Sequence, residues 1–285
     1  MKLCAGLLIL AAAGTLVAQV SPDPKLRLNR DTYHPAMELV RESAGPPATD
    51  AQLEQLRKLP LEAIWAAVVR QGYVNCQYSG LQTTRPTERL VGRALTMRYL
   101  PKRPDLEAAL TKLADDGDWP KRYNVRAAEE AKPGDVLVVD LGGGIADGIF
   151  FGDVSALGAK VAGAKGAILY GSTRDLIELR DMEGFPVYAV GFDPRPSSQL
   201  GTDWNVPLRI GNITVLPGDV VVGDAEAIIF FPPSIAAKVI ADATETMQRE
   251  EYERGLARSR KHRFRDVYPM SPELRKKYEE ERGSK

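Results

Sequence analysis

Two short polar stretches hold the residue types that could do chemistry. The first is Gly152-Asp153-Val154-Ser155 and the second is Arg174-Asp175, with twenty residues between Asp153 and Arg174. If the first stretch opens a helix, its backbone N–H groups form a site that attracts an anion. The second sets a guanidinium beside a carboxylate. One can hold a substrate acid, and the other can hold a divalent metal. An anion cradle, an arginine and a metal-binding aspartate together suit chemistry on a 2-oxo acid.

Such a site forms only if the chain folds both stretches to the same place. Residues 156–164 carry an Ala/Gly-rich helical pattern, and Gly166-Ala167-Ile168-Leu169-Tyr170 is a short apolar run. The order loop, helix, strand, loop puts both polar loops on one side of a β-sheet. Asp135-Val136-Leu137-Val138-Val139-Asp140 reads as a strand buried on both faces, ended by Gly142-Gly143-Gly144. Residues 186–190 read as the next strand. From Pro207 the texture turns β-rich, with strands expected over 208–210, 213–216, 220–222 and 227–231. Earlier in the chain, Thr49-Asp50 can cap a helix carrying Leu53, Leu56 and Leu59. A second helix is expected over 61–71, an alternating strand over 94–99 and a helix over 106–113. Pro232-Pro233 and Ser234 open a helix through Ile240.

These elements predict one mixed α/β domain over residues 49–247. Before it stand a signal peptide or N-terminal anchor at 1–20 and a Pro-rich linker or strap at 21–48. A charged helical C-terminal extension over 248–285 follows, read as solvated and frayed from Pro272 onward. Lys2 and the apolar run from Leu3 to Ala13, with Ala18 as a small residue for cleavage, predict export; an uncleaved leader would anchor the chain to a membrane. Once the leader is gone, Cys76 is the sole thiol, and it reads as a small buried apolar residue.

Composition narrows the functional classes. The 285 residues carry 38 acidic and 38 basic side chains, without the basic excess expected of a nucleic-acid binder. With two histidines, His34 and His262, and two cysteines, Cys4 and Cys76, a zinc site of the His/Cys type is nearly excluded. Any metal is then hard and oxygen-bound. Gly142-Gly143-Gly144 lacks the Lys-Ser/Thr of a phosphate loop, and the third place of a dinucleotide fingerprint falls on Asp147. These glycines read instead as a place where backbone passes close to a neighbouring segment.

Several longer stretches resemble the RraA-like family, which includes the 4-hydroxy-4-methyl-2-oxoglutarate aldolases and is named after a regulator of ribonuclease activity. They are residues 133–140 (PGDVLVVD), Gly152-Asp153, residues 166–175 (GAILYGSTRD), residues 215–224 (VLPGDVVVGD) and residues 90–98 (LVGRALTMR). The resemblance implies a compact swivelling β/β/α domain assembled as a homotrimer or hexamer, with sites between subunits. It implies that Asp175 binds Mg²⁺ or Mn²⁺, partly through water, and that Arg174 holds the pyruvyl carboxylate. It gives the amides of Gly152, Asp153, Val154 and Ser155 to the substrate's carboxylate or keto oxygens, and to Asp153 the water that shuttles a proton. A glutamate from a neighbour's C-terminal region, here Glu250 or Glu251, would complete the site. The implied activity is retro-aldol cleavage of a 4-hydroxy-2-oxo acid, decarboxylation of oxaloacetate, or both. The alternative is a non-catalytic protein-binding module of the same family. Export sets the chain apart from a cytoplasmic ribonuclease, and no Gly-rich adenosylmethionine loop supports a methyltransferase.

Overall fold

A computed structural model describes residues 35–117, 122–146 and 149–283. The expected leader, the first part of the linker, Cys4, His34 and Asp147 lie outside the described residues. The chain divides into two units, residues 1–45 and residues 46–285. Within the first, the stretch expected to be an extended strap carries helix α1 (Pro35–Ser43). Its proline stands in the first helical turn, where a missing N–H costs nothing, and Ala36, Met37 and Leu39 are good helix formers.

The second unit begins with α2 (Asp50–Arg57), α3 (Leu61–Arg70) and the short strands β1 (Gln77–Tyr78) and β2 (Gln82–Thr83). Thr49 and Gln52 close a reciprocal capping box at the start of α2, with Gln52 N–H donating to Thr49 Oγ1 at 3.2 Å. Next come β3 (Leu90–Pro101), α4 (Pro104–Asp115), α5 (Tyr123–Glu130), β4 (Asp135–Asp140), α6 (Asp153–Ala162), β5 (Ala167–Thr173), α7 (Leu176–Asp181) and β6 (Val187–Phe192). The last part holds β7 (Gln199–Trp204), β8 (Leu208–Ile210), β9 (Ile213–Val215), β10 (Val220–Gly223), β11 (Ile228–Phe231), α8 (Ala236–Ser259), α9 (Phe264–Val267) and α10 (Pro272–Gly283).

Strands β3, β4, β5 and β6 are neighbours in that order and all parallel. Parallel neighbours need crossovers, and α4–α5, α6 and α7 supply them in turn. Antiparallel strands flank this centre, with β10, β11 and β1 on one side and β2 on the other. β7 pairs with the far half of β3, beyond the part that β10 covers.

Strand alternation divides the core between the two faces of the sheet. Leu137, Val139, Leu169, Val187 and Ala189 face α5, α6 and α7, packing on Tyr123, Ala127, Ala156, Ala159 and Leu179. Val91, Val220, Val222, Ile229 and Phe231 face α2, α3 and α8. The opposite face, with Val136, Val138, Ile168, Tyr188 and Val221, is covered by the β8–β9 hairpin through Leu208, Ile210, Ile213 and Val215. This is a mixed α/β domain with helices on one face and a β-hairpin on the other.

The C-terminal extension differs from expectation in two ways. No break falls at residue 248, because α8 runs unbroken from Ala236 to Ser259. Nor is the end merely solvated: Val267, Met270 and Leu274 are buried together against Tyr252, Leu256, Ala257 and Tyr278. Few apolar residues in a charged sequence suffice, because Val267, Met270 and Leu274 fall together on the contacts with α8, while Phe264 and Tyr268 stay exposed.

Asp219 is the acid that the fold strains most. Only 6% exposed, it turns its carboxylate back to accept the Leu216 N–H at 2.8 Å, while its own carbonyl accepts from Ala94 N–H in β3. Burial pushes its pKa up to about 7, and the Leu216 hydrogen bond offsets this only in part. With the folded value above the unfolded one, the native state binds the extra proton. Stability is then fully present below about pH 4 and falls as pH rises toward 7, by at most about 1.4 kcal/mol per pH unit. Asp219→Asn keeps an acceptor for Leu216. Denaturant unfolding at a series of pH values should show it flattening that slope and raising stability at pH 7 relative to the parent chain.

Candidate functional site

The site forms where the loop after β4 is tied to the carboxyl end of β5. Thr173, the last residue of β5, donates from Oγ1 to the carbonyl of Phe151 at 2.9 Å in a buried hydrogen bond. Phe150 N–H donates to Ser172 O at 3.3 Å, Ser172 Oγ donates to Ile145 O at 2.7 Å, and Ile149 bridges Ser172 in parallel register. Phe150 and Phe151 are themselves buried, so the loop is anchored by both apolar packing and backbone pairing. It then delivers Gly152 and the first turn of α6 to the segment that follows Thr173.

The two polar stretches therefore converge. Asp153 N–H donates to Asp175 Oδ2 at 3.1 Å, and Arg174 Nε lies 3.5 Å from the same oxygen. The Arg174 and Asp175 side chains keep 44% and 34% of their surface, so both reach solvent and a ligand. Asp175 caps α7 with φ 57° and ψ 47°, a left-handed conformation unusual for a non-glycine residue. That conformation costs roughly 1–2 kcal/mol, least for Asp and Asn, and it is held here by the contacts of its carboxylate.

Glycine at 152 is a spatial requirement. A Cβ at that position would stand 1.9 Å from Asp175 Oδ2 and 3.0 Å from Arg174 Nε. Of the three glycines after β4, Gly143 makes the close approach, since a Cβ there would meet the Tyr170 ring at 2.8 Å, whereas nothing lies within 4 Å of one on Gly144.

Of the amides at the start of α6, that of Asp153 is engaged by Asp175. Those of Val154 and Ser155 belong to the first turn, whose N–H groups have no partner inside the helix. Ser155 Oγ accepts from Asn124 Nδ2 on α5 at 3.4 Å. Neither α5 nor β7 was expected from the sequence. Tyr123 and Ala127 of α5 are buried in one cluster with Ala156 and Ala159 of α6, which sets Asn124 beside α6, while Arg126 stacks over Trp204 of β7 at 4.2 Å with Tyr123 edge-on to the same ring. Ser172 and Thr173, which tie the loops together, were also missed. Their signal is a pair of polar residues ending an otherwise apolar run.

Other acids sit at the same carboxyl edge of the parallel strands. Asp140, ending β4, accepts from Gly142 N–H at 3.0 Å, and burial raises its pKa against the pull of that bond and of Arg98. Asp193, just past β6, donates its amide to Thr173 O at 2.9 Å. Arg195 hydrogen-bonds the Asp193 carboxylate and holds its pKa down to about 2. Glu250 and Glu251 lie on α8, where Glu250 pairs with Arg254 at 2.9 Å and Glu251 pairs with Arg254 and Arg258.

Among the described residues, no group of three or more His, Cys, Asp or Glu could hold a metal ion between them. The donor chemistry at Asp175 nonetheless fits one kind of cation. It offers a single carboxylate that reaches solvent and is seated in the space that Gly152 leaves by lacking a Cβ. That suits a hard divalent ion which takes its remaining ligands from water and substrate.

A profile of the RraA-like family, described as Aldolase/RraA, matches residues 62–230. The chain belongs to the RraA-like family. It is 31% identical over 128 residues to a Halalkalibacterium halodurans protein provisionally named 4-hydroxy-4-methyl-2-oxoglutarate aldolase. That match covers 45% of this chain and 60% of the relative. Among solved structures, Streptomyces coelicolor RraAS2, described as an unusual member of the RNase ES inhibitor RraA protein family, is 27% identical. It has a TM-score of 0.63 over 73% of this chain and 98% of its own. An uncharacterized protein from Pseudomonas syringae pv. tomato shares the fold, with 21% identity and a TM-score of 0.64 over 79% of this chain and all of its own. The family match spans both polar stretches.

Gly152→Ala tests the convergence directly. The added methyl should turn the Asp175 carboxylate away, moving the Asp153 amide resonance in a ¹⁵N-correlated spectrum. Because only a short exposed side chain must give way, stability should change by about 1 kcal/mol or less.

Proposed function

We propose that this chain is a divalent-metal-dependent lyase that cleaves a 4-hydroxy-2-oxo acid, decarboxylates oxaloacetate, or does both through a pyruvate enolate. The observation that carries this reading is the meeting of Asp153 N–H and Arg174 on one carboxylate oxygen of Asp175. The name borne by the Halalkalibacterium relative supports the same substrate class.

In this reading Arg174 binds the substrate carboxylate, its fork of donors matching two carboxylate oxygens. The amides of Val154 and Ser155, at the positive end of α6, orient the substrate oxygens that gain charge as the C3–C4 bond breaks. Asp175 is the residue that would hold Mg²⁺ or Mn²⁺. Such a cation, when bound, supplies Lewis-acid stabilisation of the enolate. Asp153, whose amide meets Asp175, is given the role of holding a water through its carboxylate. In retro-aldol cleavage that water takes the proton from the 4-hydroxyl oxygen as C4 becomes a carbonyl. The bond pair passes to C3, and a proton returned to C3 gives pyruvate. In decarboxylation the same bond pair is left behind by CO₂, so the one arrangement serves both reactions.

Assembly as a homotrimer or hexamer belongs to the same proposal. Val154, Leu157 and Val161 line one face of α6 and are 78%, 51% and 80% exposed, with Ile177 of α7 also exposed. An apolar stripe starting inside the site is suited to being covered by a second copy. Export is likewise proposed from the apolar leader, which lies outside the described residues. Among the described residues, no helix is long and apolar enough to cross a membrane.

A second reading is a non-catalytic protein-binding module, favoured by the likeness to RraAS2. Turnover separates the two. With oxaloacetate or a 4-hydroxy-2-oxo acid, pyruvate release should require Mg²⁺ or Mn²⁺ and stop with EDTA. Arg174→Ala should lower the rate by about 10²–10³, and Asp175→Asn should abolish the metal requirement together with turnover. A stoichiometric protein partner captured by a chain with no such turnover would establish the second reading instead.

A further inference from the structure

A cavity of about 260 Å³ is walled by α4, the start of α5, the end of β3 and the start of β7. Its position ties it to the loop site. Asn124 lines it, and the same side chain reaches Ser155 Oγ in the first turn of α6 at 3.4 Å. Gln199 lines it too and donates from Nε2 to Leu141 O at 2.9 Å, just past the end of β4. The Tyr99 ring stands edge-on to Phe150 at 5.7 Å, and Phe150 packs at 4.9 Å on Phe151, the residue before Gly152. The cavity therefore lies at the carboxyl edge of the parallel strands, where α/β sheets receive their ligands.

Its walls define what would fill it. Tyr99, Leu110, Tyr123 and Leu200 give it an apolar body. Tyr123 is buried, and β7 runs so close to its ring that a Cβ on Gly201 would stand 2.6 Å from it, which holds the ring in place. The charges do not favour an ion. Glu107 and Arg122 both line the cavity, so one acid offsets one base, and Glu107 is also tied to Lys102 at 2.5 Å. A second substrate carboxylate would be drawn by Arg122 and repelled by Glu107. A methyl or carboxylate group would leave most of this volume to water. A neutral group the size of a ring would instead bury apolar surface against all four apolar side chains.

We propose that this cavity receives the C4 substituent of the substrate, a 4-hydroxy-2-oxo acid carrying a neutral aryl or bulky alkyl group at C4. The inference rests on the lyase reading above and selects its retro-aldol branch, since oxaloacetate has no group to place there. As the C3–C4 bond breaks, its electron pair stays on C3 and the 4-hydroxyl proton passes to the held water. C4 leaves as an aldehyde carbonyl, and a proton returned to C3 completes pyruvate. With a phenyl substituent the products are benzaldehyde and pyruvate. Leu110 and Thr111 of α4 then set which substituents are accepted.

The test compares pyruvate release from 4-hydroxy-2-oxo-4-phenylbutanoate with that from 4-hydroxy-2-oxopentanoate, whose C4 substituent is a methyl group. With Mg²⁺ or Mn²⁺ present, the full chain should show a kcat/KM for the phenyl substrate roughly tenfold or more above that for the methyl one. Thr111→Trp, which puts an indole into the cavity, should cut that ratio by about tenfold or more. Thr111 is exposed on α4, so the change leaves the core intact. Leu110→Ala, which takes away part of the wall, should lower the ratio as well. The inference alone is overturned if the parent chain does not prefer the phenyl substrate, if both variants leave the ratio unmoved, or if oxaloacetate is the one compound to release pyruvate. If neither oxaloacetate nor either 4-hydroxy-2-oxo acid is turned over, the lyase reading itself fails and takes this inference with it.

Discussion

Everything at the site depends on the buried hydrogen bond from Thr173 Oγ1 to the carbonyl of Phe151 and on the backbone pairing beside it. Without it, the loop after β4 is a surface connection free to leave the sheet. With it, the start of α6 is fixed against the residue after β5, and the Asp153 amide and the Asp175 carboxylate fall within 3.1 Å. Parallel strands make this possible. Successive crossovers return each chain segment to the same edge, so the loops after β4, β5 and β6 must gather there. Asp193 N–H donating to Thr173 O extends the pattern to the third strand.

Much of this was readable before any coordinates. The apolar runs of β4 and β5 and the helical pattern between them gave the order loop, helix, strand, loop. That order alone places Gly152–Ser155 and Arg174–Asp175 on one side. The Ala/Gly content of α6 also foretold close packing, and Ala156 and Ala159 are fully buried against the sheet. Element starts and ends were less legible. α8 continues past residue 248 because a charged helix keeps its backbone bonds whether or not its outer face is apolar. α5 escaped notice because its buried residues, Tyr123 and Ala127, are only two in a polar, charged stretch, and β7 because all its residues are half-buried and show no alternation. The link from Asn124 to Ser155 went unseen for the same reason.

The sequence also gave no warning that the helix N-terminus is already engaged. The amide of Asp153, expected to meet a substrate oxygen, meets the Asp175 carboxylate. One positive helix end therefore serves two negative groups: a resident carboxylate on its first N–H, and the open positions of Val154 and Ser155. This divides the labour within the proposed reaction. Asp175 is oriented before any ligand arrives, and the substrate takes the amides that remain.

Gly152 and Asp175 form a pair of constraints that explain each other. Asp175 adopts a left-handed backbone at a local cost, and that conformation points its carboxylate into the space where a Cβ on residue 152 would stand. Relaxing either residue releases the other: a side chain at 152 expels the carboxylate, and a right-handed Asp175 no longer fills the gap that glycine leaves. Strain at one residue and a missing side chain at the other are difficult to account for as stability devices, since both weaken the fold where they occur. They are accounted for if an open, oriented carboxylate oxygen beside a guanidinium is what the two loops are built to present.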